Sequence, residues 1–131
     1  MSAIDKYMKE IEADTKLDVF NVKDVQSKLP GTKHKWVGRL IRHKQNLQQL
    51  DEKLKIHKAK LLKQVKEEAP YNVSDPAVNR AIEEQQSVAD IKKEIADEKL
   101  IIQFLEKIER IFSSMTFDIK NLTEIMKLET M

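Results

Sequence analysis

The chain of 131 residues has no cysteine, only two glycines and three prolines, and an aromatic content of 5%. Without cysteine it forms no disulfides and offers no thiolate ligands to a metal. A sheet protein needs more turn residues and more aromatic and β-branched side chains than this composition supplies. No stretch approaches the roughly 18 consecutive apolar residues of a membrane span, and charged residues interrupt the start of the chain, which does not resemble a signal peptide. We expect a soluble, intracellular, helical protein.

Charge is abundant, at 35% of the residues, and it is very unevenly distributed. Residues 32–66 hold eleven of the 24 Lys and Arg but only two of the 22 Asp and Glu, a net charge of +9. The remaining residues hold thirteen basic and twenty acidic side chains, a net charge of −7, and the total of +2 conceals both values. Such a separation favours binding of a polyanion by the basic segment. The rest of the chain is available for packing and self-association.

The composition predicts an all-α fold, and the length predicts a single domain, compact or elongated. Helix-breaking residues predict where its helices begin and end. Short N-terminal helices are expected within residues 1–31, and Pro30 and Gly31 end the second of them. A long basic helix is expected over residues 32–69, and C-terminal helices for packing and oligomerisation over residues 76–131. Four polar residues are predicted to begin helices, and they are Ser2, Asn21, Asp75 (with Pro76 in the first turn) and Thr116.

A regular leucine spacing predicts how the long helices pack. Leucine recurs every seven residues in the basic segment, at Leu40, Leu47, Leu54 and Leu61. The companion heptad positions are mostly charged, so this seam needs an additional partner helix. The C-terminal segment supplies one, with apolar residues at Val78, Ile82, Val88, Ile91, Ile95, Ile102, Leu105 and Phe112. We therefore predict a long antiparallel helical hairpin, joined by a short loop at residues 70–76.

The last part of the chain is apolar on more than one face, which is typical of a helix buried between neighbours. A single hairpin cannot cover this much apolar surface, so we expect a homo-oligomer interface there. The residues predicted for that interface are Leu105, Ile108, Phe112, Phe117, Ile119, Leu122, Ile125 and Met126.

Basic side chains line one side of the predicted long helix, away from the leucine row. Acidic partners at i+4, which usually compensate such cations, are nearly absent, so we favour polyanion binding over a merely solvated face. The segment has no set of side chains arranged to read base edges, which predicts phosphate contacts without sequence readout. The stripe consists of Lys35, Arg39, Arg42, Lys53, Lys60 and Lys63.

The only tryptophan, Trp36, lies near the start of the basic segment. Its ring is able to stack on a base, which would make it part of the binding surface. A lone tryptophan next to Val37 and Leu40 more often belongs to the core. The sequence leaves both interpretations open.

Motifs of catalysis and of metal binding are missing from the sequence. It has no glycine-rich phosphate loop, no nucleophile elbow and no cysteine nucleophile, so no catalytic residue is predicted and the chain is not expected to be an enzyme. His34, His43 and His57 are separated by nine and fourteen residues, which does not bring them together on one helix. We expect neither a metal nor another cofactor. Binding of the basic helix to a membrane is disfavoured by the leucine row and the hairpin.

The C-terminal run FDIKNLTEIMKLE, residues 117–129, resembles the C-terminal helix of the UvsY-like recombination mediators of tailed bacteriophages. The run Lys58-Ala59-Lys60-Leu61 is similar to that family's Lys-Ala-Arg-Leu, and Lys35-Trp36 is similar to a Lys-Trp near the start of the same helix. The resemblance implies that Lys58 and Lys60 take part in binding single-stranded DNA.

Members of that family are small, non-enzymatic proteins that form rings through C-terminal helices and bind single-stranded DNA. The resemblance implies a recombination mediator in the host-cell cytoplasm, which helps a RecA-type recombinase replace the single-strand-binding protein on DNA. Single-stranded DNA, those two proteins and further copies of the chain are then its partners. The alternative is a helical scaffold or coiled-coil adaptor without a nucleic-acid role. The basic stripe separates the two hypotheses, because a scaffold has no reason to leave eleven cations almost unpaired.

Overall fold

The structure, a computed structural model, describes residues 2–68 and 74–131. The helices of this part of the chain are α1 (Ala3–Asp14), α2 (Val22–Glu68), α3 (Asp75–Glu83) and α4 (Gln86–Glu129). The described residues contain no strand, and the predicted all-α class is confirmed. Within those same ranges every helix falls short of the length or apolar character that crossing a membrane requires.

The chain divides into two compact units. The first contains the residues up to Arg42 and those from Ile101 onward, and the second contains residues 43–100. Both α2 and α4 contribute to each unit, whereas α1 belongs to the first unit and α3 to the second. Each unit therefore has its own segments of the two long helices and its own apolar core.

In the first unit, the segments of α2 and α4 run antiparallel. The Lys33 ammonium donates to the Thr116 hydroxyl at 3.3 Å, and farther along α2 Leu40 lines the same cavity as Leu105. Residues later in α2 therefore contact residues earlier in α4, which shows that the two segments run in opposite directions. The buried residues of this unit are Val22, Leu29, Trp36, Leu40, Ile102, Leu105, Ile108, Phe112, Met115 and Ile119.

The second unit repeats the antiparallel arrangement. The side chain of His43 lies 2.8 Å from that of Glu98, and that of His57 lies 2.6 Å from that of Ser87. Its apolar cluster joins α3 and the start of α4 to the leucine side of α2, as predicted for those positions. The members of the cluster are Val78, Ile82 and Val88, with Leu54, Leu61, Leu62 and Val65 packed against them.

The predicted helix end at Pro30 and Gly31 is wrong, because α2 continues through both residues. Proline inside a helix costs about 3 kcal/mol, since it lacks an N–H and crowds the preceding turn. Leu29 and Trp36 are seven residues apart, therefore on one side of the helix, and both are buried in the first unit. An unbroken helix keeps both side chains in that core, and this packing outweighs the local cost. Residues 1–31 thus hold one short helix and the beginning of α2.

The two predicted N-terminal caps have different outcomes. Ser2 caps α1 as predicted, with its hydroxyl accepting from the N–H of Asp5 at 3.3 Å. Asn21 immediately precedes α2, but its carboxamide bonds to the preceding loop instead. It accepts from the N–H of Asp18 at 2.8 Å and donates to the carbonyl of Lys16 at 2.9 Å.

The cap of α3 is Ser74 rather than the predicted Asp75. The Ser74 hydroxyl accepts from the N–H of Ala77 at 3.4 Å, and Asp75 is the first helical residue. Pro76 lies in the first turn as predicted, where its missing N–H costs nothing. Residues 70–73 of the predicted loop lie outside the described residues.

The C-terminal segment is divided at a different place from the one predicted. The structure separates α3 from α4 at residues 84–85, whereas α4 continues through Thr116, which begins no helix. In one continuous helix Ile82 and Val88 would lie about 120° apart, at 100° per residue. The break at residues 84–85 lets Val88 join Val78 and Ile82 in a single buried cluster. Burial of these side chains explains a break where no glycine or proline occurs.

Candidate nucleic-acid interface

An exposed lysine surface lies on α2 in the second unit. Lys53, Lys60 and Lys63 are exposed, and none of them forms an ion pair within the described part of the chain. Ile56, which is 59% exposed, lies among them on the same side of the helix. We call Lys53, Ile56, Lys60 and Lys63 the lysine face. It presents three ammonium groups that form no ion pair, around one apolar side chain, and the exposed Glu52 lines the same groove as Lys53, Ile56 and Lys60.

Lys58, by contrast, faces α3 and is paired. Its ammonium donates to Oε1 of Glu83 at 2.7 Å, and Lys92 of α4 donates to Oε2 of the same carboxylate. Hydrogen bonds from Lys58 and then Lys92 lower the pKa of Glu83 to about 2. The carboxylate therefore stays ionised even at pH values well below neutral. Because residues two apart on a helix are about 200° apart, Lys58 and Lys60 point to different sides of α2.

Lys35 and Arg39 of the predicted stripe are also paired, in the first unit. Lys35 donates to Glu10 at 2.9 Å and to Asp14 at 2.6 Å. Arg39 holds the Glu10 carboxylate with two hydrogen bonds, of 2.7 and 3.1 Å. Arg39 and then Lys35 lower the pKa of Glu10 through these hydrogen bonds. Partial burial alone would lower the pKa of Lys35, but its bonds to Asp14 and Glu10 raise it overall.

Trp36 belongs to the core of the first unit, which answers the question that the sequence left open. Its side chain is 3% exposed, and its Nε1 donates to Asp14 at 2.9 Å. The Tyr7 ring meets it edge-on, with the ring centroids 5.6 Å apart. The Arg39 guanidinium lies 4.6 Å from the Trp36 centroid, a distance typical of a cation–π contact. Contacts of α1 with Lys35, Trp36 and Arg39 thus stabilise the packing of α1 against α2.

The remaining predicted site residues are placed as follows. Arg42 is exposed in the first unit and forms no ion pair among residues 2–68 and 74–131. Of the predicted oligomer-interface residues, four are buried in the chain's own core: Leu105, Ile108, Phe112 and Ile119. Phe117 and Ile125 are 69% and 52% exposed, and Leu122 and Met126 are half-buried.

The acidic partners of Lys35, Arg39 and Lys58 were not predicted from the sequence, because Glu10, Asp14 and Glu83 lie more than twenty positions away. The i to i+4 rule tests only partners within one helix. The signal that was available is the acidic character of α1, whose Glu10 and Asp14 are four residues apart and hence on one side of the helix.

A family model matches nearly the whole chain. The model described as the recombination, repair and ssDNA-binding protein UvsY covers residues 10–130. The chain belongs to the UvsY family, a class of DNA-binding proteins that act in recombination and repair. No curated protein sequence matches it.

Two crystal structures of the recombination mediator protein UvsY of bacteriophage T4 are similar to the chain. In one lattice type the TM-score is 0.84 at 12% sequence identity, over 98% of this chain and 99% of the other. In another the TM-score is 0.79 at 11% identity, over the full length of both chains. At this identity the comparison shows a shared fold, which agrees with the all-α class predicted from the sequence.

Proposed function

We propose that the chain is a recombination mediator that binds single-stranded DNA through the lysine face of α2. The observation that carries this proposal is that Lys53, Lys60 and Lys63 are exposed without carboxylate partners in the described residues. Ammonium groups on a flexible stem attract backbone phosphates and release condensed counterions, independently of sequence. Exposed Ile56 offers an apolar contact to unstacked bases, which duplex DNA does not present at its surface.

The mediator role rests on family membership together with this surface. Like the family, the chain is proposed to act by binding rather than by catalysis, in the host-cell cytoplasm. Holding single-stranded DNA while a RecA-type recombinase replaces the single-strand-binding protein needs only an extended, sequence-independent grip on the strand.

Loading of a RecA-type recombinase tests the mediator role. Single-stranded DNA is first covered with the cognate single-strand-binding protein, and the DNA-dependent ATPase of the recombinase reports its loading. We expect the chain to shorten the lag before ATP hydrolysis on covered DNA and to have little effect on bare DNA, where nothing must be displaced. An unchanged lag on covered DNA would contradict the mediator role and leave DNA binding itself to be judged separately.

Self-association is part of the proposal, through the apolar side chains that the end of α4 leaves exposed. Phe117, Ile125 and Leu128 are each more than half exposed, and half-buried Leu122 and Met126 adjoin them. Apolar side chains gathered on a soluble protein usually mark an interface. A ring of copies repeats the lysine face, so that weak sites act together through their high effective concentration.

Ile125→Asp is expected to dissociate the oligomer, because a charge cannot be buried in an apolar interface without a partner. The fold of the chain should be retained, since the Ile125 side chain is 52% exposed. Analytical ultracentrifugation of wild type, Ile125→Asp and the control Gln45→Asp measures the assembly. Gln45 is exposed and lies on α2, outside the proposed interface of α4, so its variant should sediment like wild type. A monomeric wild type, or an Ile125→Asp variant that remains assembled, would place the contacts elsewhere.

A further inference from the structure

We propose a second phosphate-binding subsite in the second unit, formed by Lys58 of α2 and Lys92 of α4 and occupied in this structure by the Glu83 carboxylate. The proposal deepens the proposed function and rests on it. Two lysines from different helices converge on one anionic group, each donating to a different oxygen. A backbone phosphodiester presents the same pattern, since its two non-bridging oxygens share one negative charge.

Exchange of Glu83 for a phosphate is favoured by where Glu83 lies. It is the last residue of α3, where the helix carbonyls leave partial negative charge that disfavours a carboxylate. Its side chain is 44% exposed, and those of Lys58 and Lys92 are 33% and 48% exposed. Although these lysines lower the pKa of Glu83, solvent screens ion pairs this accessible, so they contribute little to folding stability. A side-chain rotation of Glu83 frees both ammonium groups for a phosphate.

The subsite would give Lys58 the part in DNA binding that the resemblance implies, although Lys58 faces away from the lysine face. Lys55 precedes Lys58 by one turn and is exposed, with no ion pair among the described residues. Lys55, Lys58 and Lys92 then form a second cationic surface, and Glu83 neutralises its centre. A strand that has bound the lysine face gains a further phosphate contact when it displaces Glu83.

The carboxylate competes with DNA at this subsite at all physiological pH values. Lys58 and Lys92 keep the pKa of Glu83 near 2, so protonation does not release it. Neutralising Glu83 by substitution therefore imitates the open subsite, and Glu83→Gln keeps the size and shape of the side chain. Glu84 is the matched control, because it is adjacent, exposed and free of ion pairs in the part of the chain that is described.

Fluorescence anisotropy with a labelled mixed-sequence single strand, across a salt series, compares wild type, Glu83→Gln and Glu84→Gln in the full chain. We expect Glu83→Gln to tighten binding about three- to tenfold at low salt and to steepen the salt slope by about 0.7, the value of one phosphate contact on a single strand. Glu84→Gln should change affinity less than about twofold, because salt screens the effect of a single exposed charge at a distance. Adding Lys92→Ala to Glu83→Gln should abolish the gain.

The outcomes separate the subsite from the proposed function. If Glu83→Gln behaves like Glu84→Gln, or keeps its gain without Lys92, the subsite is refuted while salt-dependent binding by wild type still supports the lysine face. If wild type binds no single-stranded DNA at low salt, the proposed function fails and the subsite fails with it. Circular dichroism and sedimentation of every variant should match wild type, because all three side chains of the subsite are at the surface. A Glu83→Gln variant that loses helicity would show that the pair serves packing and would also refute the subsite.

Discussion

Replacement of Trp36 by alanine is expected to lower the free energy of unfolding by about 3–5 kcal/mol, the usual cost of truncating a buried aromatic side chain. Trp36 is 3% exposed and joins the core of the first unit to α1 through Tyr7 and Asp14. The truncation removes the packed ring, and it leaves the Asp14 carboxylate without its indole donor. Urea denaturation followed by circular dichroism measures the change, at a fixed protein concentration because assembly adds to apparent stability.

Two controls locate the effect of Trp36→Ala. Gln45→Ala alters an exposed residue of the same helix and should change the free energy of unfolding by less than about 0.5 kcal/mol. Trp36→Phe keeps an aromatic ring for Tyr7 but lacks the indole N–H, so its stability should lie between those of wild type and Trp36→Ala. A Trp36→Ala variant as stable as wild type that no longer binds DNA would reverse the assignment and make Trp36 a base-stacking residue.

Removal of the lysine face should have the largest effect on DNA binding. The triple variant Lys53→Gln, Lys60→Gln, Lys63→Gln is expected to lose about a hundredfold or more in affinity for single-stranded DNA at low salt. Its salt slope should fall by about 2, since each phosphate contact on a single strand contributes about 0.7. Helix content should be unchanged, because all three side chains are exposed and form no ion pair within the described residues.

A charge-matched variant distinguishes this surface from a general effect of net charge. Lys93, Lys99 and Lys107 are exposed on α4 and likewise have no ion pair in the part of the chain that the structure describes. Changing these three to glutamine removes the same charge. It should weaken binding only about a few-fold, because salt screens charges that do not contact the DNA. Equal losses in the two triple variants would mean that DNA is held by overall charge and that the lysine face has no special role.

The sequence predicted the apolar interior well, because burial follows helical periodicity. Each of the eight apolar positions predicted for the packing face of the C-terminal segment, from Val78 to Phe112, is buried. The ends of the helices were predicted less well, because at some positions the packing of the core overrides the helix-breaking tendency of a residue. Pro30 signals a helix end, yet the core contacts of Leu29 and Trp36 on either side of it hold α2 together. Between α3 and α4 the reverse holds: no glycine or proline predicts a break, yet the helix ends there because the break allows Val88 to be buried.

For the candidate site, the sequence shows which cations lack an acidic partner within their own helix. It does not show which of them are paired with a residue of another helix. The scarcity of acids within residues 32–66 predicted the stripe to which Lys53, Lys60 and Lys63 belong, and these three have no ion pair on any described element. The same scarcity makes Lys35, Arg39 and Lys58 look unpaired, although α1 and α3 supply their carboxylates across the fold. Three of the seven predicted DNA-binding side chains are therefore engaged within the chain, which is why the proposed surface centres on Lys53, Lys60 and Lys63.

The most direct test of the proposed DNA binding is the affinity of the wild-type chain for labelled single-stranded DNA, measured by fluorescence anisotropy from low to high salt. We expect equal affinities for mixed sequences and for homopolymers, and weaker binding to duplex DNA of the same length. The logarithm of the affinity should fall with the logarithm of the salt concentration with a slope of about −2 or steeper, from the three contacts of one lysine face. Binding that is insensitive to salt, a clear preference for one sequence, or no binding at low salt would contradict it.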